Sequence, residues 1–339
     1  MTKKIGLMGC GEVANYGHIP AILEIPGLEL HAIYDPNPVA LKKTQERYHI
    51  PFAFTETGPL FSSGLDAVSI TSPAPVHHQN VMEAAQHRLP VLCEKPLAAN
   101  RAEAEEMLAA MQQAKASLYT AFCYRFSLPA LKIRELVRGG AIGEVRALRL
   151  IYNWDLHGKF VLDESGHPVV QQRRHLRMLE GGPLVDCGTH QIDLAQFWLG
   201  SEVVRFSSHG AWVEEYEAPD HVWLHLDHAS GAHTVIEVSF SYGATLKQRH
   251  HQFLYELIGT QGVIRYDREA KSFTVENADG LVALDFQPEK SFSGLYAEWA
   301  RALVSGHSEL LTSAEEGMRV VEIARQSTDQ VIQSRRMAN

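Results

Sequence analysis

Lys95, Asp186 and His190 are the residues of this chain best suited to moving a proton beside a reacting oxygen. Lys95 sits in Val91-Leu-Cys-Glu-Lys-Pro-Leu97, where a short apolar run gives way to polar sequence. Pro96 cannot continue a strand's hydrogen bonding, so the lysine belongs at the exit edge of a sheet rather than inside it. An ammonium there can donate hydrogen bonds to a reacting oxygen and stabilise a developing alkoxide. Asp186 and His190 are four residues apart, on one face if the segment is helical, with Leu194 and Trp198 continuing that face as packing. Histidine titrates near neutral pH and can accept a proton from an alcohol, while a nearby carboxylate orients the ring or a hydroxyl. A lysine charge close by would keep such a histidine neutral. Taken singly, Lys95 also reads as a solvated amine, Asp186 as a helix cap and His190 as a structural histidine.

The first part of the chain alternates strands and helices, which predicts a parallel sheet covered by helices on both faces. Strands are expected at Ile5 to Gly9, Leu28 to Tyr34, Asp66 to Ile70, Pro90 to Cys93 and Ser117 to Phe122. Helical patterns fall at Glu12 to Ile25 (split by Gly17 and Pro20), Val39 to His49, Val76 to His87 and Arg101 to Lys115. Asn100 and Glu103 form a capping box for the last of these. The expected division is a dinucleotide-binding domain over residues 1–125 and a substrate-binding and oligomerisation domain over 126–339, with the final helices free to pack back on the first.

Gly9-Cys10-Gly11-Glu12-Val13-Ala14 follows the first strand and fits a pyrophosphate-binding turn. Gly9 and Gly11 let the backbone turn and approach the phosphates, and Ala14 keeps the helix close to the sheet. Glu12 and Val13 lie at the helix N-terminus that faces the negative charge. Asp35 ends the second strand, 24 residues after Gly11, where a carboxylate can bind ribose hydroxyls. It would repel a 2′-phosphate, and no arginine follows it, so NAD is favoured over NADP. The plainer reading is a glycine-rich turn beside a capping aspartate. Thr71-Ser-Pro73-Ala-Pro-Val-His77 adds a stiff loop at the carboxyl edge of the sheet; His77 reads equally as a cofactor neighbour or as the start of a helix.

With these residues in view, the chain resembles the Gfo/Idh/MocA family of nicotinamide-dependent oxidoreductases. The resemblance rests on the glycine turn, the Thr71 to His77 loop, Glu94-Lys95-Pro96, Gly140-Ala-Ile-Gly-Glu-Val145, Gly181-Gly-Pro-Leu-Val-Asp186-Cys-Gly-Thr-His190, and Thr312 to Val320. It implies an α/β protein: an N-terminal Rossmann doubly wound parallel sheet, then a C-terminal α/β domain with a large, mostly antiparallel sheet. It further implies sugar, inositol or polyol substrates and homodimers or homotetramers. Lys95, Asp186 and His190 match the family's catalytic positions, which gives His190 the acid/base role, Lys95 polarisation of the substrate oxygen and Asp186 orientation. Glu94 then supports the cofactor ribose or its own loop, and the Lys95–Pro96 bond is expected to be cis. Tyr124, Trp154 and Arg174 are expected to join Lys95, Asp186 and His190 as substrate contacts. Arg173 stands where the family usually has tryptophan, a departure within that loop.

The second domain is expected to begin with a helix over Ser127 to Gly139 and a strand over Glu144 to Trp154. Residues 156–180 lack a period and read as a lid or binding loop. Strands follow at Val203 to Trp212, Val222 to Leu226, Ala232 to Phe240, Gln252 to Ile258, Val263 to Tyr266 and Ser272 to Val275. Such a sheet needs a cover on its second face, and a second copy would supply it. Two helices, Leu295 to Leu303 and Ala314 to Gln333, close the chain. The net charge of −9 is spread along 339 residues, with no clustered basic footprint, which argues against nucleic acid as a partner. No apolar run approaches a membrane span, and four scattered cysteines fit a reducing cytoplasm rather than disulfides. Paired His250-His251 lacks metal-ligand spacing, so no metal is expected. A redox-neutral NAD-dependent glycosidase and a non-catalytic NAD-binding sensor are the alternative functions.

Overall fold

The computed structural model describes residues 2–155, 160–162, 165, 168–170, 172–242 and 250–338. The chain divides into two compact units, Met1–Phe126 with Lys290–Val321, and Ser127–Glu289 with Glu322–Asn339.

The first unit runs β1 (Lys3–Met8), a π-helical turn (Ala14–His18), α1 (Ile19–Glu24), β2 (Leu28–Tyr34), α2 (Pro38–Tyr48), β3 (Phe52–Phe54), α3 (Thr57–Phe61) and β4 (Ala67–Ile70). It continues through α4 (His77–Gln86), β5 (Val91–Cys93), α5 (Arg101–Ala114) and β6 (Leu118–Thr120). The parallel strands lie in the order β6-β5-β4-β1-β2-β3, the doubly wound arrangement in which order reverses between β1 and β4. All four residues of β4 and all three of β5 are buried, as expected for strands covered on both faces. Helix starts follow their capping residues. Asn37 Oδ1 accepts the Val39 and Ala40 N–H groups ahead of α2. Asn100 Oδ1 accepts Glu103 N–H, while Glu103 Oε2 reaches back to Ala99 N–H. Each such cap is worth about 1 kcal/mol. Glu12 to Glu24 does not split at Gly17 and Pro20: the helical path continues through the π turn into α1.

The second unit opens with α6 (Leu128–Arg138) and β7 (Val145–Asn153). The stretch expected to be irregular instead contains a ribbon of β8 (Phe160–Leu162) and β9 (Pro168–Val170), then α7 (Gln172–Leu179). The expected lid falls partly on residues 156–159, 163–164, 166–167 and 171, outside the described residues. A second π turn (Leu184–Gly188) leads into α8 (Thr189–Leu199). Then come β10 (Val203–Ala211), β11 (His221–His228), β12 (His233–Ser239), β13 (Gln252–Gly259), β14 (Gly262–Asp267), β15 (Ser272–Asn277) and β16 (Gly280–Ala283). These make an eight-stranded sheet in the order β10-β11-β12-β7-β13-β14-β15-β16, antiparallel except at β12–β7. On one face Trp198 of α8 meets Tyr255 edge to face, with ring centroids 5.0 Å apart. Its Nε1–H donates to Ala130 O at 2.9 Å, tying α8 to α6. Such an aromatic pair adds about 0.5–1.5 kcal/mol beyond its burial. The alternating strand β11 turns His221, Trp223, His225 and Asp227 to the other face, where they are half-buried.

After Glu289 the chain returns to the first unit with α9 (Phe292–Ser305) and β17 (Thr312–Ser313), which pairs antiparallel with β6. The closing helix α10 (Ala314–Ala338) begins in the first unit and ends in the second. Among the described residues, no helix is long and apolar enough to cross a membrane.

Candidate functional site

In the first unit the candidate residues gather at the carboxyl ends of β1, β2, β4 and β5. Gly9 has φ +104°, and a Cβ there would lie 2.6 Å from Ser72 N. The glycine therefore lets β1 exit directly against the Thr71 loop. Thr71 Oγ1 closes that approach by donating to Gly9 O at 2.7 Å. Gly11 is different: a Cβ there would meet nothing within 4 Å, so its backbone faces open space. Asp35 Oδ2 accepts Cys10 N–H at 2.7 Å and Oδ1 accepts Asn37 N–H at 2.8 Å. Each oxygen keeps a further lone pair for a hydroxyl donor. An exposed backbone turn beside a fixed carboxylate fits a pyrophosphate and an adjacent ribose. Glu12 is exposed, Val13 half-buried and Ala14 fully buried, in keeping with their places at the helix start.

Asn15 and Tyr48 complete this turn and were not singled out from sequence. Asn15 Nδ2 lies 2.9 Å from both Cys10 O and Gly11 O. In the π turn Ile19 N–H bonds Ala14 O, so Asn15 O would need the N–H of residue 20. Residue 20 is proline and has none. Tyr48 Oη donates to that carbonyl instead. An asparagine inside a helical turn is the one sequence signal that pointed there, because its amide competes for backbone groups.

Pro73 is exposed in the loop after β4. His77, read equally as a cofactor neighbour or as the start of a helix, is the first residue of α4 and is buried, with Nδ1 2.9 Å from Pro96 O and Nε2 2.8 Å from Ser72 O. The ring lies between two carbonyl acceptors, of which its neutral form can donate to one, and so sits between the Thr71 loop and the Lys95 turn. Burial pushes its pKa down, against the opposing pull of those carbonyls and of Glu94. The Lys95–Pro96 bond is cis. Glu94 is 7 % exposed and Lys95 half-buried. Tyr124, expected to contact substrate, is 1 % exposed, with Lys290 Nζ 5.5 Å from its ring centroid. Burial and the Asp35 charge push the Cys10 thiol up to about 12, and Cys123 rises as far, chiefly through burial. These thiols stay protonated and unreactive at neutral pH.

In the second unit a second glycine pair, Gly181 (φ +118°) and Gly182 (φ +75°), leads into the other π turn. Here no space is left open. A Cβ on Gly182 would lie 2.9 Å from Pro219 O, and one on Gly188 would lie 2.6 Å from Leu184 Cδ1. The glycines press the helix start against its surroundings and fix the side chains it carries. Asp186 lies in the π turn and is half-buried; His190 lies in the first turn of α8 and is buried. Arg177 of α7 is the basic partner here: burial opposes its charge, but Asp186 and Glu180 outweigh that and hold the guanidinium firmly protonated. Sequence reasoning chose Arg174 from the same basic run, and the structure places that residue in the interior of the second unit. Arg174 is 0 % exposed and donates to Asp155 O, Phe240 O, Glu214 Oε1 and Ser241 Oγ. Through Nη1 and Nη2 it fastens α7 to the ends of β7 and β12. Trp154 stacks on Tyr152 at 5.6 Å and meets Phe240 edge-on. Among the described residues, no three His, Cys, Asp or Glu side chains gather to hold a metal ion.

A doubly wound sheet with a glycine turn at its switch point is the architecture of a dinucleotide-binding domain, here joined in one chain to a large, mostly antiparallel sheet. Residues 3–122 match the NAD-binding Rossmann fold of the oxidoreductase family, and residues 130–265 match the GFO/IDH/MocA C-terminal domain. The chain belongs to the GFO/IDH/MocA family of oxidoreductases. It is 26% identical over 345 residues to a D-apiose dehydrogenase of Rhizobium rhizogenes, covering 96% of each chain. It is 24% identical over 274 residues to a scyllo-inositol 2-dehydrogenase (NAD(+)) of Bacillus subtilis, covering 77% of this chain and 72% of that one. Its fold matches an oxidoreductase of Agrobacterium radiobacter solved with NAD+, L-tartaric acid and magnesium, at TM-score 0.83 and 22% identity over 98% of this chain and 97% of that one.

Proposed function

We propose that this protein is an NAD-dependent dehydrogenase that oxidises a secondary hydroxyl of a sugar, cyclitol or related polyol, or catalyses the reverse. The observation that carries this reading is the open backbone at Gly11 beside the doubly anchored Asp35 carboxylate. That pair suits a dinucleotide whose ribose hydroxyls are free. A 2′-phosphate would meet a carboxylate, and the residues that follow are Pro36, Asn37 and Pro38, with the Asn37 side chain spent on capping α2. A bound nicotinamide supplies the hydride acceptor. The chain supplies the rest: His190 takes the hydroxyl proton, Lys95 donates to the same oxygen as negative charge develops, and Asp186 orients the hydroxyl or the imidazole. Relatives named as dehydrogenases of D-apiose and scyllo-inositol support a polyol as the substrate class. We also propose that copies assemble as a homodimer or homotetramer through the sheet face carrying Trp223, Val235 and Ile258, all partly exposed; sedimentation as a monomer at micromolar concentration would exclude it.

The test is a panel of sugars, sugar acids and inositols with NAD and NADP, followed by reduced-cofactor fluorescence. Lys95→Ala and His190→Ala should each lower kcat/KM by roughly a hundredfold or more, the usual contribution of a positioned acid/base or oxyanion donor. Tight NAD binding with no turnover of any polyol would refute the reading. Release of free sugar from a glycoside without net NADH would replace it with the redox-neutral alternative.

A further inference from the structure

The first unit contains a line of buried polar groups that the hydride chemistry above leaves unused. Ser69 Oγ of β4 lies 2.6 Å from Tyr296 Oη of α9, and that hydroxyl lies 2.8 Å from His18 Nδ1 of the π turn. His18 Nε2 lies 2.9 Å from Glu94 Oε1, and Glu94 Oε2 accepts the backbone N–H of Lys95 at 3.1 Å. Ser69, Tyr296 and His18 have no exposed surface, and Glu94 almost none. The Phe292 ring covers the imidazole at 4.9 Å.

A carboxylate buried this deeply would ordinarily take up a proton. Burial does push Glu94 up, but the His18 hydrogen bond and charge, with Lys95 and His77, outweigh it and hold the carboxyl below its usual range. Burial drives the Tyr296 phenol far up, so it remains a neutral donor and acceptor. An ionised Glu94 needs a hydrogen on His18 Nε2, so Nδ1 accepts from the phenol when the ring is neutral and donates to it only as the imidazolium. The line ends inside β4 at Ser69, with no outlet to water, so it is built to hold a charge in place rather than to export protons.

We propose that His18 and Tyr296 are positioning residues for Lys95: they fix an ionised Glu94, and Glu94 pins the backbone that presents the lysine amine. This rests on the reading of Lys95 as the group that polarises the substrate oxygen. The groups facing Glu94 include His18, Lys95, His77, Tyr296, Cys93 and Cys123; those facing His18 include Glu94, Tyr296 and Phe292.

The test has one arm that needs no turnover. Reductive ¹³C-methylation gives each lysine one NMR signal, and Lys95→Arg identifies that of Lys95. In His18→Asn and Glu94→Gln the pH midpoint of this signal should move by about half a unit or more, and in Tyr296→Phe by less but in the same direction. In the kinetic arm, His18→Asn and Glu94→Gln should each lower kcat on the order of ten- to a hundredfold, as small misplacements of a reacting group do, with the KM for NAD within about twofold. The double variant should lose no more than the worse single, because the residues act as a unit. A Lys95 signal unmoved in all three folded variants, or additive losses in the double, would overturn the proposal. Should His18→Asn fail to fold, Tyr296→Phe keeps the ring, deletes only the hydroxyl and decides the outcome alone. If the wild-type chain turns over no polyol, the dehydrogenase reading falls, while the Lys95 signal still tests the positioning.

Discussion

The two glycine-led π turns look like repeats of one device and are used in opposite ways. In each, glycine with positive φ precedes a short π segment that runs on into an α-helix. At Gly11 the missing side chain leaves a vacancy, and the neighbouring groups, Asn15 and Asp35, hold the turn's own backbone in order while Asp35 keeps lone pairs to spare. At Gly182 and Gly188 the missing side chain is already filled by Pro219 O and Leu184. The first turn is therefore open and, under the proposed function, a receptacle; the second is closely packed and would act as a mount for Asp186 and His190. π segments recur at functional sites because one extra residue per turn re-aims the side chains around it. Under the proposed function, that extra residue would serve a ligand's backbone contact in one unit and a side chain's direction in the other.

This contrast can be broken experimentally. The largest effect should come from Arg174→Met, which strips four acceptors leading up to the second turn and leaves Glu214 buried without its guanidinium partner. It should cost about 3–5 kcal/mol, read as a lowered denaturation midpoint, with NADH affinity of the folded fraction unchanged. Gly9→Ala combines φ +104° with a 2.6 Å contact to Ser72 N and should cost about 3 kcal/mol. Gly11→Ala should change stability by less than about 1 kcal/mol, since φ there is not positive and nothing is near. It should nonetheless weaken NADH binding about tenfold or more, by filling the space the pyrophosphate needs. If Gly11→Ala unfolded the chain and left NADH binding intact, the receptacle reading would be wrong. Tyr48→Phe strands Asn15 O and should cost about 1–2 kcal/mol in thermal unfolding. The smallest and most specific effect is on acid stability. Glu94 is held below the ordinary value of 4.5, so its pairing contributes stability that is present above that pH and lost as pH falls through the lower folded value. Below pH 4.5, the wild-type melting temperature should therefore fall more steeply than that of Glu94→Gln.

Much of this was readable from residue types because alternation and capping are local. The longer strands of both sheets, the Asn100–Glu103 cap and the turn at Gly9 to Ala14 announce themselves within a few residues. Short elements such as Phe52–Phe54, Gly280–Ala283 and Thr312–Ser313 do not, since they exist only through the strands beside them. Gly17 and Pro20 read as helix breakers, yet the chain keeps its helical path. A Cβ on Gly17 would lie 2.7 Å from the Phe292 ring, so that glycine marks close packing, and the carbonyl left by Pro20 is taken by Tyr48. The arginines of the 173–177 run show the same limit. Nothing in their order says which is buried against backbone carbonyls and which faces Asp186, because that depends on a helix start at Gln172 that the polar sequence does not advertise. His18 and Tyr296 were silent for a stronger reason, since they stand 278 residues apart.

That last separation bears on how the protein is made. The first sheet is complete only when Lys290–Val321 has joined it, after residues 127–289 have been translated. At roughly 5–20 residues per second, that stretch occupies the ribosome for about ten to thirty seconds. Throughout this interval Gly17 lacks the Phe292 ring, His18 and Ser69 lack the Tyr296 hydroxyl, and β6 is an unpaired edge awaiting β17. The cofactor-binding unit is thus first to leave the ribosome and among the last to be finished, so its nascent form must stay soluble with its polar interior still open.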